Sequence, residues 1–272
     1  MCKLQRNERI AALTSLFTSN PGKLFTLSAL SEILGAAKST LSEDIDIIDR
    51  TFSKIGKGRV QSIAGAAGGV RYTPGVSQLT KSEITEYLCM ELMKKERVVS
   101  GGYLYMLDII YNPEIVSRIA DIFVSKFADS NPDYVITVET KGIPLAFMTA
   151  KFLNIPLVIV RHNIEATDGS SVNVNYISGS SKTVQTMVLP TRALKRNSRL
   201  LFIDDFMKGG GTAKGIYELA KEFDCEVAGT GVLIKTKQPE KKLVQEYYSL
   251  LTLNSVDEQT GLIDIAPSDQ DL

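Results

Sequence analysis

Between Arg199 and Gly215 the chain reads RLLFIDDFMKGGGTAKG, and no other tract restricts its fold as much. An apolar run of strand length, Leu200 to Ile203, ends in two acids, Asp204 and Asp205. Phe206, Met207 and Lys208 follow, then Gly209, Gly210 and Gly211, then Thr212, where a helical pattern opens. Glycines let successive backbone N–H groups converge on one point with no Cβ in the way. A helix N-terminus adds free donors and positive potential. Such a loop suits a phosphate monoester. The two carboxylates before it repel phosphate but accept hydrogen bonds from a vicinal diol. Together they predict a holder for a ribose 5-phosphate, at the carboxyl end of a strand, where an α/β sheet binds such ligands. No Gly-Lys-Ser/Thr follows the glycines, which excludes a Walker loop.

The surroundings agree with a sheet of that kind. From Leu79 a capping box, Thr80 to Glu83, predicts a helix through about Lys94. After a Gly-Gly-Tyr turn and Asn112-Pro113, a second helix is expected from Glu114 to Ala128. Strands and helices then alternate: YVITV, IPLAFMTAKFL, LVIVR, a polar-faced pair VNVNYI and TVQTMV, RLLFID, TAKGIYELAKEF and EVAGTGVLI. Apolar strands alternating with helices predict a mainly parallel α/β sheet. The tail, APSDQDL, is expected to fray.

The first 74 residues follow another plan. A helix from Arg6 to Thr18 carries Ile10, Leu13, Leu16 and Phe17 at helical spacing and stops at Asn20-Pro21-Gly22. SALSEIL forms a short helix ending at Gly35. A third helix has Thr40 and Glu43 as its capping box, Leu41, Ile45, Ile48 and Phe52 inward, and Gly56 at its end. RVQSI and GVRY, joined by AGAAGG, make a hairpin. Helix, helix–turn–helix and β-hairpin are the order of a winged helix-turn-helix. The expected domains are therefore 1–74, a DNA-binding head, and 75–272, an α/β body. The head holds ten Lys/Arg against six Asp/Glu, while the whole chain is neutral, so a basic head sits on an acidic body. A recognition helix in the major groove would present Lys38, Ser39, Thr40 and Ser42. Arg6, Lys57, Arg59 and Arg71 would serve phosphates or the minor groove.

Composition removes other classes. No apolar run approaches the roughly 18 residues of a membrane span, and the start lacks a signal-peptide core, so a cytoplasmic protein is expected. Cys2, Cys89 and Cys225 are far apart and give no zinc spacing; Cys89 and Cys225 read as packing residues. The single histidine, His162, reads as an exposed strand-end residue, and no nucleophile elbow accompanies it.

The tract IDDFMKGGGT resembles the signature of type I phosphoribosyltransferases, which bind phosphoribosyl pyrophosphate (PRPP). That resemblance implies that Thr140, Lys141 and Gly142, in YVITVETKGIPLA, hold the pyrophosphate. It also implies that YISGSS, with Ser178, Gly179 and Ser180, is a mobile hood. Many such enzymes carry Thr or a small residue before the paired glycines. Here Phe206 and Lys208 stand instead, which argues against turnover while leaving anion binding intact. Over nearly its whole length the chain resembles the purine operon regulators of Gram-positive bacteria, through AKSTLSEDI, AGAAGGVRYTP, GGYLYMLDII, TKGIPLA, YISGSS and IDDFMKGGGT. That resemblance implies a non-catalytic PRPP sensor, with or without Mg2+, and a homodimer acting on double-stranded operator DNA of purine genes as repressor or activator. It implies competition by guanine nucleotides such as ppGpp, with Tyr103, Phe206 and Lys208 as contacts. The alternative is an active phosphoribosyltransferase with an accessory DNA-binding head.

Overall fold

Apolar side chains at helical spacing close the head. Leu13 and Phe17 of α1 (Arg6–Ser19), Phe25 of β1 (Leu24–Phe25) and Leu30 of α2 (Leu27–Leu34) meet Leu41, Ile45, Ile48 and Phe52 of α3 (Lys38–Lys54). The wing, β2 (Arg59–Ile63) and β3 (Gly69–Thr73), lays Val60, Val70 and Tyr72 over the same core. The short β1, unforeseen in the sequence, pairs antiparallel with β3 and makes a three-stranded sheet. The computed structural model describes residues 4–65, 68–163, 169–177 and 183–269.

Two helix starts differ from expectation. α3 begins at Lys38 with Ala37 as its N-cap, so Thr40 lies inside the first turn and caps nothing. In the body, α4 (Gln78–Leu92) is capped by Ser77, whose hydroxyl accepts from Thr80 N–H at 3.1 Å. In α4 the Ser77 hydroxyl satisfies an early amide before the predicted box could, whereas α3 starts after Ala37 with no side-chain cap.

A hairpin of β4 (Val98–Val99) and β5 (Tyr103–Leu104), the single turn α5 (Leu107–Ile110), and α6 (Pro113–Phe127) lead into the sheet. Then come β6 (Tyr134–Val138), α7 (Ile143–Leu153), β7 (Leu157–Val160), the hairpin β8 (Ser171–Ile177) and β9 (Val184–Pro190), and β10 (Arg199–Met207). α8 (Gly211–Glu222), β11 (Glu226–Thr236), β12 (Tyr248–Asp257) and β13 (Leu262–Pro267) complete the chain. The sheet order is β13-β12-β11-β10-β6-β7, parallel except at β12–β13. Side chains of α4, α6 and α7 cover one face, those of α8 and the β8–β9 hairpin the other. Burial on both faces explains why β6 and β10 read as continuous apolar runs.

β12 and β13 lie beyond the last strand foreseen. They also correct the expectation of a frayed tail. Ala266 and Pro267 belong to β13, and Ser268 donates its N–H to Leu250 O at 2.9 Å. Residues 270–272 lie outside the described residues.

The head docks against the body. Arg59 at the wing base pairs with Asp129 after α6 at 2.5 Å. Gly22, with φ +73°, lies so close to the end of α7 that a Cβ there would come within 2.5 Å of the Leu153 backbone.

Candidate ligand cleft and nucleic-acid face

At the carboxyl end of β10 the apolar strand stops being covered and a cleft of about 340 Å³ opens. Asp204 to Thr212 line it on one side, and Glu139, Thr140 and Lys141, from the loop after β6, on the other. The structure thus brings together all nine residues of the predicted phosphate and diol tract, with Thr140 and Lys141. Gly210 is in the left-handed region, φ +80°, as the N-cap of α8, so the loop turns onto the helix N-terminus at a conformation that favours glycine. Gly142 is the N-cap of α7 and not a lining residue; its role is close approach. A Cβ there would come within 2.7 Å of both Asp204 Oδ1 and Thr137 Oγ1.

Asp204 is buried and accepts the Asp205 N–H at 2.9 Å. Burial first, and the adjoining Asp205 second, hold its carboxyl well above the usual carboxylate range. Two adjoining carboxyls offer several acceptor oxygens to a pair of hydroxyls.

The far wall contains groups that the sequence reading missed. His162 is half-buried, not exposed as expected. Its N–H donates to Glu139 Oε1 at 2.6 Å, its Nδ1 lies 3.1 Å from Thr186 O, and its ring stacks on Tyr176. Tyr176 in turn donates to Gln185 Oε1 at 2.6 Å. Glu139 follows directly on β6 and His162 lies two residues beyond β7, so their place near carboxyl strand ends was the available signal. Tyr176 and Gln185 sit on β8 and β9, and no local pattern marks them.

One expected contact stands elsewhere, and three fall outside the described residues. Tyr103, 64% exposed, lies on the β4–β5 hairpin and does not line the cleft of its own chain. Ser178, Gly179 and Ser180 lie outside the described residues. Cys89 is buried in the core as expected, and Cys225 is half-buried. Among the described residues no helix is long and apolar enough to cross a membrane.

On the head, Lys38 and Ser39 project from the first turn of α3, and Thr40 and Ser42 are half-buried. The Ser42 hydroxyl donates back to Lys38 O at 3.1 Å. Behind them a pair that the sequence did not announce fixes α1 to α3. Arg9 donates to buried Asp44 at 2.8 Å, and Arg6 adds a contact at 3.3 Å. Lys57 and Arg59 do not join this group. They follow the C-terminal end of the 17-residue α3, about 25 Å from Lys38, on the side of the body. Arg71 lies on the central wing strand with its Nε buried and without a hydrogen-bond partner.

A winged head on a phosphoribosyltransferase-fold body, with a glycine-loop cleft at the sheet's carboxyl edge, is the arrangement of one class of transcription regulators. Residues 5–74 match the family described as bacterial purine repressor, N-terminal, and residues 106–267 match the phosphoribosyl transferase domain. The purine biosynthesis transcriptional repressor PurR of Bacillus subtilis is 44% identical over 97% of this chain and 92% of its own length. The purine biosynthesis transcriptional activator PurR of Lactococcus lactis is 37% identical over 96% and 97%. Among solved structures, the Saccharomyces cerevisiae adenine phosphoribosyltransferase superposes with a TM-score of 0.55 at 19% identity, covering 62% of this chain and 98% of that one. The chain belongs to the PurR family of purine biosynthesis transcriptional regulators.

Proposed function

We propose that the body senses PRPP and that its occupancy sets the affinity of the head for operator DNA of purine genes. The observation that carries this reading is the junction of β10 and α8. Two carboxyls suited to the ribose diol stand beside a glycine-rich helix N-terminus suited to the 5-phosphate. Thr140 and Lys141 line the same cleft and are the proposed holders of the pyrophosphate. Lys38 and Ser39 are the proposed contacts at the major groove, with Arg71 toward the backbone. The sign of regulation follows from where the operator lies relative to the promoter, which accords with relatives named both repressor and activator.

The body is proposed to bind without turnover, as the bulky Phe206 and the cationic Lys208 beside the glycines support. Incubation with PRPP, Mg2+ and each free purine or pyrimidine base is expected to release no pyrophosphate; release would establish the enzyme instead. Guanine nucleotides such as ppGpp are proposed to compete for the cleft, with Phe206 and Lys208 beside the purine, and a competition titration reads this directly. The homodimer is proposed from the exposed apolar side chains Tyr87, Met90, Val99, Tyr103 and Tyr105 on α4 and near the β4–β5 hairpin. Light scattering tests it. Whether PRPP needs Mg2+ is decided by titrations in Mg2+ and in EDTA.

The double variant Asp204→Ala/Asp205→Ala tests the central assignment. It is expected to abolish the PRPP effect in operator gel shifts while leaving operator binding without ligand unchanged. A normal PRPP response would overturn the site.

A further inference from the structure

Beneath the glycine loop lies a residue that nothing in the motif announces. Lys242, between β11 and β12, is only 8% exposed. Its ammonium donates to Lys208 O at 2.5 Å, to Thr236 O at 2.7 Å and to Thr236 Oγ1 at 3.2 Å. The next residue, Leu243, donates its N–H to Gly209 O at 2.9 Å. Gly210 rests on the same segment: a Cβ there would lie 3.3 Å from Leu243 N and 3.5 Å from Val244 Cγ2.

The consequence is geometric. In a trans peptide the C=O and the following N–H point in opposite directions. Holding Lys208 O and Gly209 O against residues 242 and 243 turns the N–H groups of Gly209 and Gly210 the other way, and both glycines line the cleft. Burying an ammonium is costly unless it is paired or hydrogen-bonded. Lys242 is hydrogen-bonded, but its three acceptors are neutral, so its charge is not cancelled at that site. Burial, helped by nearby Lys235, lowers its titration point to about 8. A charge in that position favours a phosphate dianion on the other side of the loop.

We propose that Lys242 is a positioning residue of the phosphate cradle: it orients the Gly209 and Gly210 amides and places an uncancelled positive charge under the bound 5-phosphate. This rests on the reading of the glycine loop as that cradle. A lysine that merely holds the fold would not discriminate between ligands. Calorimetry on the full chain at pH 7 with ribose 5-phosphate, PRPP and pyrophosphate therefore separates the two roles. For Lys242→Met, ribose 5-phosphate and PRPP are each expected to weaken about tenfold or more, roughly 1.4 kcal/mol. Pyrophosphate, which has no 5-phosphate, and ligand-free operator binding should stay within twofold of wild type. Lys242→Arg should recover most of the loss, with Lys242→Gln between the two. Equal loss for all three ligands, or no loss for ribose 5-phosphate, overturns the proposal. So does failure of all three variants to fold, since Lys242 would then be holding the fold. A wild-type chain that binds neither PRPP nor pyrophosphate overturns the cleft reading itself.

Discussion

Asp121 on α6 faces the head, close to Tyr72 and Lys57. Burial pushes its carboxyl up to about 6, against a smaller opposing effect of Lys57. A carboxyl raised in the folded state contributes stability that is present below the unfolded value near 4 and is lost as pH climbs through about 6. Asp121→Asn is therefore expected to leave stability unchanged near pH 4 and to raise it by up to about 3 kcal/mol near pH 7, read from urea unfolding at the two pH values. An equal effect at both would place the charge elsewhere. At this scale the sequence was legible where chemistry is contiguous. Asp204 to Thr212 form one uninterrupted tract that runs from the end of an apolar strand to the start of a helix. Lys242, Tyr176 and Asp44 were not legible, because each acquires its role from a segment far away in the chain. For the same reason the sequence did not show that Arg59, at the start of wing strand β2, pairs with Asp129 of the body.

Among the elements, α3 carries the clearest expectation. Lys38 stands exposed at its N-terminus, where a helix entering the major groove makes its contacts. Lys38→Ala should weaken operator binding about tenfold and spare PRPP affinity. If the contact is to a phosphate, the slope of log affinity against log salt should fall by about one. Unaltered operator binding would remove α3 from the interface. At the start of α7, Gly142→Ala places a methyl within 2.7 Å of Asp204 Oδ1, and about 1–3 kcal/mol of strain or a displaced carboxyl should follow. Loss of PRPP affinity with an intact head is the expected readout. Element type and order were legible wherever apolar periodicity was long, as in α3, α6 and β10. The starts of α3 and α4 were not: Ser77 outcompetes Thr80 as the cap of α4, and α3 starts after Ala37 with no side-chain cap to mark it. β12 and β13 escaped because their apolar pattern follows a long irregular segment. β1 escaped because two residues give no period.

For the whole molecule, α7 runs from the cleft to the head. Its N-terminus carries the Thr140–Gly142 loop, and its last residue, about 16 Å on, lies against Gly22 of the head. Gly22→Ala is disfavoured both by the positive φ and by the Leu153 backbone, and it should loosen this contact. The expected result is ligand-free operator and PRPP binding within a few-fold of wild type, with a smaller PRPP effect on operator affinity. Linkage makes the coupling reciprocal, so operator DNA must change PRPP affinity by the factor by which PRPP changes operator affinity. The most direct measurement of the central claim is a calorimetric titration of PRPP into the full chain, free and bound to operator. A saturable heat in the free chain, lost in Asp204→Ala/Asp205→Ala and shifted in affinity by operator, is the predicted result. A flat titration in the free chain would contradict it.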